Sequence, residues 1–133
     1  MQLNMTTDYA VRILLYLGVT DRVTSSGEIA TEMAIPANYV PNIIKKLRDR
    51  GLVNAKYGPK GGYELGKDAE DISLLDVVET MEGAIRIKRK DNDYATKNAK
   101  AHGAVYSVYQ EIQDGMEEAF KKKTIGQLVK AMK

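Results

Sequence analysis

The strongest constraint on the fold is a glycine-rich segment that separates two short β-type runs and directly follows a helical one. Residues 38–50 repeat apolar side chains at helical spacing and are followed by Gly51, a residue type that commonly ends helices. Residues 52–57 and 63–65 have the pattern of strands, and the intervening glycines predict a hairpin tip. The chain is therefore expected to place a two-stranded hairpin immediately after a helix.

Two further helices are predicted upstream. Thr6 or Thr7 can cap a first helix that ends near residue 20, and Ser25 with Glu28 has capping-box spacing for a second helix. Pro41 would remove a hydrogen bond from the interior of the third helix, so we expect that helix to begin at Asn38 or the chain to bend near Pro41. This order of elements predicts a winged helix-turn-helix, which is mainly α with a small β-hairpin.

Charge is distributed unevenly along the chain. The net charge is +2, but residues 36–67 contain seven Lys or Arg against two Asp or Glu, while residues 68–83 contain six acidic residues and no basic one. A basic patch on a small domain is the electrostatic footprint of a polyanion binder, although a merely solvated face can have the same composition.

The glycine-rich tip does not match a nucleotide-binding loop. A Walker A loop needs G-x-x-x-x-G-K-[ST] between a strand and a helix, and residues 58–67 do not supply it. Gly61 and Gly62 permit positive φ in a tight turn whatever the function. Because the tip follows a helix-turn-helix and carries Lys56 and Lys60, the pattern favours a wing that touches DNA over a bare hairpin.

The third helix, the wing and the first helix supply the candidate DNA contacts. Asparagine can pair with adenine, lysine can reach guanine or phosphate, and recognition helices read bases through their N-terminal half. The wing and the first helix are expected to grip phosphates, and packing on the first helix is the alternative role for Tyr39. The expected contacts with double-stranded DNA are Thr7, Tyr9, Asn38, Tyr39, Asn42, Lys45, Lys46, Lys56, Tyr57 and Lys60.

An apolar stripe from about residue 97 predicts a helix of more than twenty residues, longer than a winged domain needs. A second copy of the chain is expected to cover Val105, Val108, Ile112 and Met116, and packing on the first helix is the alternative. The expected organisation is a winged DNA-binding domain over 1–83, a polar loop over 84–98, and a dimerisation helix with a C-terminal helix over 99–133.

Composition excludes several classes of chemistry. The chain has no cysteine, so disulfides, thiolate metal sites and thiol catalysis are ruled out, and its one histidine, His102, limits histidine chemistry to that residue. No nucleophile–base pair or metal constellation is visible, so an enzyme is not expected. No run approaches a membrane span and the first residues lack a signal peptide, which makes the cytoplasm the expected location.

The most specific motif of the chain is Gly58-Pro59-Lys60-Gly61-Gly62-Tyr63 with Leu65. It is accompanied by Met1-Gln2-Leu3, residues 7–12 and 15–17, Ile29-Ala30, residues 35–40, Leu47, Gly51-Leu52-Val53, and Ile125-Gly126-Gln127-Leu128. Together, over nearly the whole chain, these motifs resemble the Rrf2 family of bacterial transcription regulators. The resemblance implies a winged-helix DNA binder that dimerises through its long helix.

Two departures from the family pattern change what the resemblance implies. Many members hold an iron–sulfur cluster with three cysteines at positions equivalent to 86–103, and Lys100 stands where the third would be. Clusters need thiolates, so no cofactor is expected here. Asp8 matches an aspartate that helps to ligate the cluster in some members of the family, but without the cysteines that role fails, and Asp8 is better interpreted as helix N-terminal charge. Tyr57 stands where cluster-binding relatives often carry arginine. This wing is therefore expected to contact the phosphate backbone of DNA more than to read bases.

The sequence therefore predicts a dimeric, sequence-specific repressor. The runner-up is an interaction adaptor that uses a winged domain to hold a partner enzyme. The signal sensed is open between a small molecule bound near the long helix, a partner protein and no effector at all.

Overall fold

The structure is a computed structural model, and it describes residues 2–87 and 99–133. The prediction of a mainly helical chain with a small hairpin and a long C-terminal helix is confirmed. In chain order the elements are α1 (Met5–Thr20), α2 (Ser26–Met33), α3 (Val40–Asp49), β1 (Val53–Lys56), β2 (Gly62–Leu65), α4 (Leu74–Glu82), α5 (Ala99–Lys122) and α6 (Ile125–Ala131), with short 3-10 turns at Ala37–Tyr39 and Ala69–Asp71.

Helix α1 is the centre of the core. Its residues Ile13, Leu14 and Leu17 are at most 1% exposed, and they recur at the spacing that places them on one helical face. Burying each such side chain stabilises the fold by roughly 1.5–3 kcal/mol. Helices α2, α3, α4 and α6 all contact α1, so the buried stripe of α1 is the surface on which these four helices pack.

The helix starts show which capping predictions were right. Ser25 accepts a hydrogen bond from the backbone N–H of Glu28, as the spacing indicated. The start of α1 was predicted wrongly, because its N-cap is Asn4 and no side chain caps it. The third helix begins at Val40 rather than at Asn38: a 3-10 turn covers Ala37–Tyr39, and Pro41 lies in the first turn of α3, where a missing N–H has no cost.

Backbone hydrogen bonds attach the wing, which is the β1–β2 hairpin, to the loop between α1 and α2. Strands β1 and β2 are antiparallel, with Val53 opposite Leu65 and Lys56 opposite Gly62. Thr24 and Tyr63 exchange two backbone hydrogen bonds of 2.8 Å each, an isolated β-bridge that places Thr24 beside β2 as a one-residue third strand. The tight turn needs a positive φ at Gly58, where φ is 109°, while Gly61 is required by close approach to the carbonyl oxygen of Lys56.

The C-terminal helix belongs to the same core as α1. Ile125 is fully buried, Val129 is 9% exposed, and α6 crosses α1 at Gly18. Ser73 and Asp76 form a capping box at the start of α4, and Ser73 forms a β-bridge with Thr124. The expected division at residue 99 therefore does not coincide with a boundary of the core, because α6 returns to the first unit.

Residues 84–87 continue from α4 without helix or strand. The backbone N–H of Ile87 donates to the side-chain oxygen of Gln113 over 3.1 Å, which ties this segment to α5. The rest of the predicted loop, 88–98, lies outside the described residues.

A charged cluster fixes α2 to α1. Glu28 accepts a hydrogen bond of 2.7 Å from the Tyr16 hydroxyl and pairs with Arg22 at 2.7 Å. The hydrogen bonds from Arg22 and Tyr16 stabilise the carboxylate and lower the pKa of Glu28. The same contact raises the pKa of Tyr16, because it stabilises the protonated phenol.

Glu28→Gln should weaken the fold near neutral pH and reduce the loss of stability on acidification. Because its folded-state pKa is lowered, ionised Glu28 contributes stability above its ordinary pKa of 4.5, and this contribution is lost as the pH falls through the folded value. Urea titrations of both proteins from pH 7 to pH 3 measure the difference. Glu32→Gln, exposed on the same helix, is the control; an unchanged pH profile in Glu28→Gln would contradict the assignment.

Candidate nucleic-acid interface

Helix α3 separates an apolar face from a polar one. Val40, Ile43, Ile44 and Leu47 are at most 2% exposed, and they dock the helix on the core. The opposite face carries amide and basic side chains, all of them exposed: Asn38 in the preceding turn, then Asn42, Lys45, Lys46 and Arg48. This face has the donors and the charge that base edges and phosphates require.

Tyr39 packs on the first helix, which was the alternative considered for it. Its ring and that of Tyr9 meet edge to face, with centroids 5.6 Å apart and planes at 67°. The guanidinium of Arg12 lies 5.7 Å from the Tyr9 ring centroid, and Arg12 also donates to the carbonyl of Met33 at the end of α2. The contact between Tyr9 and Tyr39 therefore positions the turn that leads into α3. Both tyrosines remain half-exposed.

Of two α1 side chains with expected roles, Thr7 differs from its prediction and Asp8 does not. Thr7 is fully buried and its hydroxyl has no partner among the described residues, so the expectation that it contacts DNA is wrong for this conformation. Asp8 forms an ion pair of 2.7 Å with Arg12, in agreement with its interpretation as charge near the helix N-terminus.

Asn38, Tyr39, Asn42 and Lys46 line one side of a cleft of about 360 Å³ between α3, the start of α1 and the end of α4. Thr6 and Met81 contribute to the opposite walls. Four of the predicted DNA-contacting residues are thus brought together, and a residue of α4 lies directly beside them.

The wing presents its side chains next to the last turn of α3. Tyr57 is 84% exposed, and its hydroxyl accepts a hydrogen bond of 3.1 Å from Arg48. Lys56 lies 3.4 Å from Glu64 across the hairpin, which reduces the charge it can offer, whereas Lys60 is exposed at the tip. Sequence reasoning omitted Arg48, although it lies three residues after Lys45 on the same polar face.

The long helix exposes most of its predicted stripe. Val105, Val108 and Ile112 are 45%, 53% and 49% exposed, and Tyr106 and Tyr109 add to the same surface. Met116 differs, because it is half-buried and borders a cleft together with Val78 and Phe120 of its own chain. The exposed part of the apolar stripe is therefore concentrated in the first half of α5.

The side chains of this protein cannot ligate an iron–sulfur cluster through thiolates, since the chain has no cysteine. Within 2–87 and 99–133, no group of three or more His, Asp or Glu side chains could hold a metal ion. A search of the same residues finds no helix with the length and apolarity needed to cross a membrane.

A basic, amide-bearing helix held beside a β-hairpin defines the winged helix-turn-helix class of DNA-binding proteins. The chain belongs to the Rrf2 family, whose profile, described as "Iron-dependent Transcriptional regulator", matches residues 3–131. It is therefore a DNA-binding transcription regulator rather than an enzyme.

Named relatives and solved structures agree with this assignment. A provisionally named HTH-type transcriptional regulator of Aquifex aeolicus (strain VF5) is 28% identical over 131 residues, covering 93% of this chain and 88% of the relative. The structure of CymR, the global cysteine regulator of B. subtilis, is similar with a TM-score of 0.80 and 22% identity over 98% of each chain. IscR of T. potens has a TM-score of 0.78 and 21% identity, covering 100% of this chain and 89% of IscR. The two structural likenesses support the fold.

Proposed function

We propose that the chain acts in the cytoplasm as a homodimeric, sequence-specific repressor that needs no iron–sulfur cluster. The polar face of α3 carries this proposal: Asn38 and Asn42 lie at its N-terminal end, where recognition helices meet base edges, and Lys45 and Lys46 follow. The wing, with Lys60 at its tip, contacts the phosphate backbone. Tyr9 and Tyr39 position the turn that leads into α3, and their exposed ring edges contact the phosphate backbone of the DNA.

The dimer is supported by the exposed stripe of α5. An apolar surface that a helix leaves exposed is stabilised when a second copy covers it. Winged and helix-turn-helix proteins commonly bind two half-sites as symmetric dimers, so two copies of α3 would read two copies of one short sequence. Repression follows if the bound dimer covers DNA that RNA polymerase must contact.

Selection from a random DNA pool tests the proposal. We expect a two-fold symmetric site, binding that weakens with salt, and reduced transcription in vitro from a promoter that carries the selected site. Failure to select any motif, together with salt-independent binding, would favour an interaction adaptor instead.

Asn42→Ala and Lys60→Ala should weaken binding in different ways. Asn42→Ala should relax preference at one base position, at a cost of about 1–3 kcal/mol at that position. Lys60→Ala should weaken binding to every sequence alike and reduce the slope of log K against log salt by about 0.9 for each subunit that loses a phosphate contact. Fluorescence anisotropy with matched and mismatched duplexes measures both; if neither affinity nor preference changes in either variant, the docking of α3 and the wing is wrong. Lys123→Ala, exposed just before α6, is a control for general charge.

A further inference from the structure

A second cleft of about 360 Å³ lies on the far side of α4, between the N-terminal segment, the end of α4 and the second half of α5. This volume falls within the range of roughly 300–1,000 Å³ that holds small ligands. The larger apolar side chains of its walls are Leu3, Val78, Ile85, Met116 and Phe120. We propose that this cleft binds a free α-amino acid with an apolar side chain, and that α4 transmits its binding to the DNA surface. The second half of this inference rests on the proposed function.

Charge at the cleft selects the class of ligand. Glu82 ends α4, Gly83 turns the chain with φ 83°, and Arg86 follows, so that a carboxylate and a guanidinium both border the apolar walls. In the part of the chain that the structure describes, neither of these two side chains has an ion pair or hydrogen bond with another residue. A simple anion would be repelled by Glu82 and a simple cation by Arg86. A zwitterion satisfies both groups, with its carboxylate on Arg86 and its ammonium on Glu82.

The wall that carries Arg86 is held in place before any ligand arrives. Gln113 is only 8% exposed, and its side-chain oxygen accepts the hydrogen bond from the Ile87 backbone that fixes residues 84–87 against α5. Buried amides are retained where they are hydrogen-bonded. A preformed wall lowers the ordering cost of binding, which favours a small ligand with few contacts.

Helix α4 borders both clefts. Val78 and Glu82 face the amino-acid cleft, whereas Met81 lines the other cleft beside Asn42 and Lys46 of α3. Helix α4 also packs directly against α3. A ligand that contacts Val78 and Glu82 therefore biases the position of Met81 against the recognition face, which is the physical link that coupling between two sites requires.

Calorimetry on the full chain with matched ligands tests the site. We expect L-phenylalanine or L-leucine to bind, while 3-phenylpropionate and phenethylamine, each of which lacks one charge, bind about tenfold more weakly or not at all. Arg86→Gln and Glu82→Gln should each weaken amino-acid binding about tenfold, and Glu79→Gln, one turn earlier on α4, should not. Absence of binding by both amino acids, as expected if a partner copy covers the cleft, or equal binding in all variants, would overturn the proposed site.

Coupling between the cleft and the DNA surface is measured separately. The dissociation constant for a selected DNA site is determined with and without saturating L-phenylalanine or L-leucine. We expect a change of about fivefold or more, as is usual for coupled sites, and no change in Arg86→Gln. Amino-acid binding without any change in DNA affinity would refute the proposed coupling through α4. DNA affinity in the absence of amino acid tests the proposed function alone, so the two failures are distinguishable.

Discussion

Gly62→Ala should detach the wing from the body of the protein and lower stability by about 3 kcal/mol, the upper end of ordinary overpacking costs. A Cβ at this position would lie 2.4 Å from the carbonyl oxygen of Thr24 and 2.7 Å from its carbonyl carbon. Both are backbone atoms, so no side-chain rotation relieves the contact. The two hydrogen bonds of 2.8 Å between Thr24 and Tyr63 would have to lengthen or break. Urea denaturation measures the stability, and anisotropy with a selected duplex measures the accompanying loss of DNA affinity.

Gly27→Ala is the matched control for this change. A Cβ on Gly27 would meet nothing within 4 Å, and the residue lies inside α2. Since alanine is favoured over glycine in helices by roughly 0.5–1 kcal/mol, we expect equal or higher stability and unchanged DNA binding. If Gly62→Ala were as stable as Gly27→Ala, the bridge between Thr24 and the wing would not be the attachment that the structure indicates.

If the proposed dimer forms through α5, Val108→Glu should convert it to a monomer and weaken binding to a two-fold symmetric DNA site by about a hundredfold or more. Val108 is 53% exposed in the single chain, at the centre of the stripe that a second copy is proposed to cover. Two carboxylates brought together in an apolar interface carry a desolvation cost of several kcal/mol. The loss in DNA affinity follows because the second half-site no longer binds as part of one complex, and that linkage contributes roughly 10²–10⁴ in affinity.

Ser107→Glu places the same charge on the opposite side of α5. Ser107 is exposed and lies outside the apolar stripe, so this variant should remain dimeric and bind DNA normally. Sedimentation equilibrium gives the oligomeric state, and circular dichroism checks that α5 stays helical in both variants. A Val108→Glu protein that remains dimeric with full DNA affinity would place the dimer surface elsewhere.

The fold was predictable because local patterns agree with the tertiary structure. Apolar residues at helical spacing, the capping residues Ser25, Ser73 and Thr124, and glycines around the hairpin each indicate the element in which they are found. Thr6 and Thr7 were the exception. A cap depends on where the chain enters the helix, and Asn4 precedes both threonines at that entry.

The candidate site was only partly predictable. The polar face of α3 follows from helical periodicity, because burying Val40, Ile44 and Leu47 leaves Asn42 and Lys45 on the other side. The burial of Thr7 and the contact between Arg48 and Tyr57 depend on how separate elements pack, and a one-dimensional pattern does not contain that information.

The sequence by itself determined the order of elements, the wing, the basic character of residues 36–67 and the exclusion of cysteine-ligated clusters, because these depend on residue type and local spacing. Only the tertiary structure decided three features: α6 packs in the same core as α1, the ring of Tyr39 packs against that of Tyr9, and α4 separates two clefts. The physical reason is that contacts between residues far apart in the chain follow from the packing of whole faces. Gly18 illustrates this, because its lack of a side chain has meaning only once Val129 of α6 is placed against it.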